Sequence, residues 1–128
     1  MRLRALAALT LLTLVAPACD GPTAGEVSID LVTPNSSDGA ILFKVRTPSS
    51  KDLGELTAAC SGWQAFSYRV SESELYGVVT GPLTSGPIAR LAVSDLGASS
   101  AYLVTILEIS GLDHRLRSDV GYELRLSR

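Results

Sequence analysis

Apolar and polar residues alternate along most of this chain. Val27, Ile29 and Leu31 are separated by Ser28 and Asp30. Ile41, Phe43 and Val45 alternate with Leu42, Lys44 and Arg46, and Tyr122, Leu124 and Leu126 with Glu123, Arg125 and Ser127. Successive side chains on a strand point to opposite faces, so a period of two lets a strand bury one face and wet the other. The pattern does not suit a helix, whose apolar stripe repeats every 3.6 residues. Turn chemistry punctuates the runs: Pro34-Asn-Ser-Ser-Asp-Gly39, Gly81-Pro82 and Gly86-Pro87.

Val27–Leu31 and Ile41–Val45 therefore read as a first hairpin, with Asp38-Gly39 able to adopt positive φ in its turn. Residues 47–62 read as loop with a short strand near Glu55–Ala59. Trp63–Val70 reads as a strand with Phe66, Tyr68 and Val70 on one face. Leu75–Thr80 follows, ended by Gly81-Pro82, and then Ile88–Val93. Ala101–Ile109 is apolar at most positions, which predicts a strand covered on both sides and central in its sheet. Tyr122–Leu126 closes the domain by pairing back. About seven or eight short strands without a strong helix predict an all-β fold, an antiparallel β-sandwich spanning residues 26–128.

The first eighteen residues do not belong to that pattern. Arg2 and Arg4 precede an apolar run from Ala5 to Val15, broken only by Thr10 and Thr13. The run is shorter than the roughly 20 residues a spanning helix needs. A basic start, a short apolar stretch and small residues before a polar segment mark an export signal, with residues 1–18 as the signal peptide. Ala16-Pro17-Ala18-Cys19 resembles the lipobox of bacterial lipoproteins. That resemblance implies cleavage between Ala18 and Cys19 and a diacylglycerol on the Cys19 thiol. Ala18 and Cys19 match the pattern; Ala16 stands where leucine is usual. Ala16-x-Ala18 also fits an ordinary secretory cleavage site at the same bond, which would leave Cys19 without lipid. Lipid is the favoured reading, because one of only two cysteines stands there. Residues 19–25 would then be a short Gly- and Pro-containing tether between membrane and fold. Asp20 resembles the inner-membrane retention signal of some diderm bacteria.

Without residues 1–18 the chain loses Arg2 and Arg4 of its 11 basic residues, leaving nine against 13 acidic ones and a net charge of −4 with His114 neutral. No clustered basic face is available for nucleic acid. If Cys19 carries lipid, Cys60 has no intramolecular partner and reads as a small buried apolar residue. If Cys19 is free, a Cys19–Cys60 disulfide is open to an oxidising compartment.

Chemistry-bearing patterns are sparse. His114 is the one histidine, and its neighbour Asp113 would point to the opposite face of a strand; Gly111-Leu-Asp-His-Arg115 reads as a polar turn. Zinc takes three or four His, Cys or carboxylate ligands, more than one His and one available Cys supply. Calcium needs several oxygens from one or two loops, and Asp38 stands alone in its turn. Glu72 and Glu74 sit in Ser71-Glu-Ser-Glu74, where solvation is the default. Trp63, Phe66, Tyr68 and Tyr76 read as core aromatics, although exposure would make them a binding platform. No cofactor and no metal is expected.

Gly77-Val-Val-Thr-Gly81, Gly86-Pro-Ile-Ala-Arg-Leu-Ala-Val93 and Ala101-Tyr-Leu-Val-Thr-Ile-Leu-Glu-Ile109 resemble the middle and late strands of cohesin-like sandwiches. The immunoglobulin Cys…Trp…Cys arrangement is absent, so Ig-like describes architecture only. The resulting expectation is a non-catalytic binding or scaffolding module of the bacterial cell envelope, lipid-anchored through Cys19 to the cell or outer membrane. It would face the periplasm or exterior and contact an envelope protein or polysaccharide. The alternatives are a small secreted enzyme using His114 or acidic loop residues, and a cohesin-like protein-docking domain.

Overall fold

The inward half of each alternating run forms the core. Val27, Ile29 and Leu31 from one layer meet Ile41, Phe43 and Val45 from the other, joined by Leu75, Val79, Ile88 and Leu91; all are buried. A computed structural model describes residues 24–48 and 53–128. Residues 1–18, and all of 19–25 except Ala24 and Gly25, lie outside the described residues, so the signal peptide, Ala18 and Cys19 do too.

The elements are β1 (Gly25–Val32), β2 (Asp38–Arg46), β3 (Leu53–Ala58), β4 (Gln64–Ser71), β5 (Glu74–Leu83) and β6 (Gly86–Val93). A 3-10 turn (Leu96–Ala101) leads to β7 (Leu103–Gly111), the two-residue β8 (Leu116–Arg117) and β9 (Glu123–Ser127). They form two antiparallel sheets, β3-β6-β1-β9 and β4-β5-β2-β7-β8. The chain is an all-β antiparallel sandwich. Among the described residues no helix is long and apolar enough to cross a membrane.

Three local expectations change. The run after Val32 is not a hairpin turn: β1 pairs with β6 and β9, while β2 pairs with β5 and β7, so residues 33–37 arch from one sheet to the other. Both arrangements hide the same apolar faces, so periodicity alone does not separate them. β5 does not stop at Thr80. It runs through Gly81 and Pro82 to Leu83, and the register shift opposite Asp38 and Ala40 accommodates the extra residues as a bulge. β7 is not covered on both sides. It is fourth of five strands, with only the two-residue β8 beside it, and on its outer face Leu103 and Leu107 are 60% and 45% exposed. β9 does pair back into the sheet, from Val32↔Glu123 to Ser28↔Ser127.

Two glycines make room for aromatic rings. Gly77 lies opposite Phe43, where a Cβ would come within 2.6 Å of the ring. Gly81, at φ 148°, lies under Trp63, where a Cβ would also fall 2.6 Å from the indole. Trp63 is thereby half-buried against the core, as a core aromatic should be.

Candidate functional site

The outward halves of the two sheets differ in kind. On the four-stranded sheet the outer positions carry Glu26, Ser28, Asp30, Arg90, Glu123 and Arg125. These groups are solvated or tied to one another. Ser28 Oγ and Ser127 Oγ donate to Asp30 at 2.6 and 2.7 Å, and Arg125 grips Glu123 with two bonds of 2.9 Å. That paired guanidinium holds the Glu123 carboxyl below the usual carboxylate value, and Arg125 is raised in turn.

The five-stranded sheet presents the opposite chemistry. Its register aligns Phe66, Val78 and Leu42 in one row across β4, β5 and β2. The next row holds Tyr68, Tyr76 and Lys44. Phe66 is 59% exposed, Tyr68 71% and Val70 51%, while Leu42, Tyr76 and Val78 are half-buried beside them. Charge enters this face on the middle strand and beyond it: Lys44 on β2 faces Glu74 at 4.0 Å, Arg46 lies opposite Glu74, and Glu108 on β7 lies opposite Leu42. The alternation puts Phe66 and Tyr68 on one face, opposite Val78 and Tyr76, whereas Val70 falls at the bulge between Arg69 and Ser71, and Phe66 and Tyr68 are not core residues. β4 is terminal in its sheet, and its residues are exposed on both faces apart from the half-buried Ala65. A contiguous apolar and aromatic face of this kind, rimmed by polar groups, is the mark of an interaction surface.

A second concentration of functional groups is structural. Asp38 opens β2 and is fully buried. Arg117 Nη1 reaches its Oδ1 at 3.0 Å and Tyr122 Oη donates to the same oxygen at 2.7 Å; Thr33 Oγ1 donates to Oδ2. Asn35 Nδ2 donates to Tyr122 Oη at 2.6 Å, and Arg117 Nη2 to Ser37 Oγ at 2.9 Å. A buried carboxylate survives only when paired and hydrogen-bonded, and here three donors from three segments converge on it. The hydrogen bond with Tyr122, and then the Asp38 charge, raise Arg117 above its ordinary value against the cost of desolvation. Asp38 therefore does not stand alone as a turn residue: it ties the 33–37 arch to β8 and to the approach to β9. Among the described residues no buried side-chain nitrogen or oxygen lacks a partner.

The other residues singled out by sequence are scattered. His114 is exposed at φ 64° in the β7–β8 turn, where its N–H donates to Gly111 O at 3.0 Å. It borders a shallow cleft of about 280 Å³ with Gly39, Thr80, Pro82 and Leu112, and no carboxylate or thiol lines that cleft. Asp113 caps the same turn, accepting from Arg115 N at 3.1 Å. Cys60 is not buried but exposed in the β3–β4 connection. Glu72 is exposed in the β4–β5 turn, and Glu74 is engaged by Lys44. Among the described residues no three His, Cys, Asp or Glu side chains converge to hold a metal.

Compared with known proteins, the chain matches no family model, no curated protein and no solved structure. What it does has to be argued from its own surface.

Proposed function

We propose that this chain is an exported, lipid-anchored, non-catalytic module of the bacterial cell envelope that docks a protein partner on the outer face of its five-stranded sheet. One observation carries the docking reading: the two outer faces are chemically opposite. The face of Glu26, Asp30, Arg90 and Arg125 is polar and wet, whereas the face of Leu42, Phe66, Tyr68, Tyr76 and Val78 offers contiguous apolar and aromatic area across β4 and β5, with charge beside it on β2 and β7. Aromatic-rich, charge-poor patches are the centres of protein interfaces. A polysaccharide would demand more hydrogen-bonding groups than these rows supply, so a protein is the partner this face fits. Anchoring rests on Ala16-Pro17-Ala18-Cys19, and a cohesin-like way of docking would use the same kind of sheet face.

Two measurements test this reading. The intact mass of the protein from a membrane fraction of its native cells should exceed that of residues 19–128 by a diacyl or triacyl group, and the excess should vanish in Cys19→Ser. A photo-crosslinking residue at Leu42 should capture a partner of one defined mass in cells, and the same residue at Thr57 on the polar sheet should not. An unmodified mass removes the anchor. Equal or absent capture at the two positions removes the docking face.

A further inference from the structure

β7 changes its alternation part-way along. Val104 and Ile106 pack against the core two residues apart, but the next core residue is Ile109. The ladder with β2 takes up the extra residue between Phe43↔Ile106 and Leu42↔Glu108, and Leu107 is left over. Without that bulge Glu108 would follow Ile106 to the inner face and Ile109 would turn outward. With it, Ile109 is buried and Glu108 stands exposed on the outer face, opposite Leu42. A bulge re-aims the side chains around it, and here the re-aimed group is a carboxylate.

Glu108 borders a cleft of about 210 Å³ whose other walls include Ala40, Leu42, Val78 and Ser110. Two carboxylates stand on the strands of this outer face. Glu74 is met by Lys44 at 4.0 Å and lies opposite Arg46. Among the described residues no ion pair and no side-chain hydrogen bond engages Glu108. The cleft therefore joins an apolar wall to one uncompensated negative charge.

We infer that this cleft receives an arginine side chain of the docked partner, with its methylene stem along Leu42 and Val78 and its guanidinium against the Glu108 carboxylate. The site lies within the docking face proposed above and depends on that reading for its partner. Long cationic side chains lay their stems on apolar surface while the charged head stays at a polar group. The head would meet two carboxylate oxygens, with Ser110 next along the strand. A planar fork of donors suits a carboxylate better than the point charge of an ammonium. Arginine is also among the residues that carry most of the energy of an interface when seated in a pocket. An acidic side chain in this place would be repelled by Glu108. A purely apolar one would cover the carboxylate without pairing it, at a cost in desolvation.

A small probe tests the site without the partner. Nα-acetyl-arginine amide, titrated to high millimolar concentration into the isotope-labelled full chain in detergent micelles, should shift the backbone amide signals of Leu42, Val78, Glu108 and Ser110 along one saturation curve. Nα-acetyl-citrulline amide has nearly the same shape without the charge. It should bind roughly three- to fivefold more weakly, the range for an exposed charge pair. Glu108→Gln should bring arginine down to the citrulline level, and high salt should narrow the difference in the wild-type chain. Glu108 is exposed, so the variant keeps the fold, and unchanged core signals from Ile29 and Leu91 would show it. Equal affinities for arginine and citrulline, shifts that survive Glu108→Gln, or no saturable shift would each overturn the inference. Any of these alongside capture at Leu42 would leave the docking face standing without its arginine anchor. A saturating response that depends on Glu108, without capture, would keep the guanidinium site and remove the docking face.

Discussion

The Asp38 carboxylate and the Tyr122 hydroxyl, 84 residues apart in sequence, meet at 2.7 Å at the end of the sandwich. Between them they hold Arg117, Thr33 and Asn35. Asp38→Ala should destabilise the fold by about 2–3 kcal/mol, the cost of leaving several donors without their charged acceptor. Asp38→Asn should recover part of that loss, since it keeps one oxygen for Tyr122. Denaturant unfolding of the two variants checks the order. Equal stabilities of the two variants would mean that a neutral oxygen at this position restores nothing.

Phe43 fills the space that Gly77 leaves on the neighbouring strand. Gly77→Ala would drive a methyl group into that ring and towards Leu56, with overpacking expected to cost about 1–3 kcal/mol. A compensating Phe43→Leu should restore part of the loss. Thermal unfolding of the single and double variants measures the coupling, and purely additive losses would contradict the contact.

His114 occupies a left-handed backbone position in the β7–β8 turn, where most side chains are strained. His114→Gly relieves that strain at an exposed site. It should leave stability unchanged or raise it by up to about 1 kcal/mol, and it should not alter partner capture at Leu42. A loss of stability, read by thermal melting, would mean that the imidazole makes contacts the turn geometry does not provide.

Glu123 titrates below its usual value because Arg125 hydrogen-bonds its ionised form. A carboxyl whose folded-state value is lowered contributes stability above its unfolded value, near 4.5, and loses it as pH falls through the folded value. The stability difference between the wild-type chain and Glu123→Gln should therefore be present at neutral pH and disappear once the pH has fallen through the lowered folded-state value. It should be small, because the pair is exposed, and it should shrink in high salt. A difference that persists at low pH would assign it to packing.

Periodicity carries information about which residues share a face, and it did so well here. The inward sets on β1 and β2 are the buried residues, and Phe66 and Tyr68 do lie together, opposite Val78 and Tyr76. It carries less about what covers that face. β4 alternates like a half-buried strand, yet it stands at a sheet edge, and the aromatics that would be core in a middle strand are solvent-facing. Strand partners are harder still. Residues 34–39 suit a tight turn, but the fate of that segment is settled by Asp38, whose partner Arg117 lies 79 residues away. No local pattern encodes a contact that distant. β7 shows the converse error: its unbroken apolar run suggests cover on both faces, but only the face of Val104 and Ile106 packs on the core, and Leu103 and Leu107 stay exposed.

The arch from β1 to β2 has a mechanical consequence. Gly25 starts a strand of the four-stranded sheet, whereas Tyr68 and its neighbours sit on the other sheet, and no hydrogen-bonded ladder joins the two. Under the proposed anchoring and docking, a pull between the N-terminal side and a partner on the aromatic face would cross the sandwich through apolar side chains and a few connecting loops. Such a load tends to shear the layers rather than unzip a strand. Resistance to it would then be set by how tightly Phe43, Val79, Ile29 and Leu91 interdigitate, and by the Asp38 clasp at the far end.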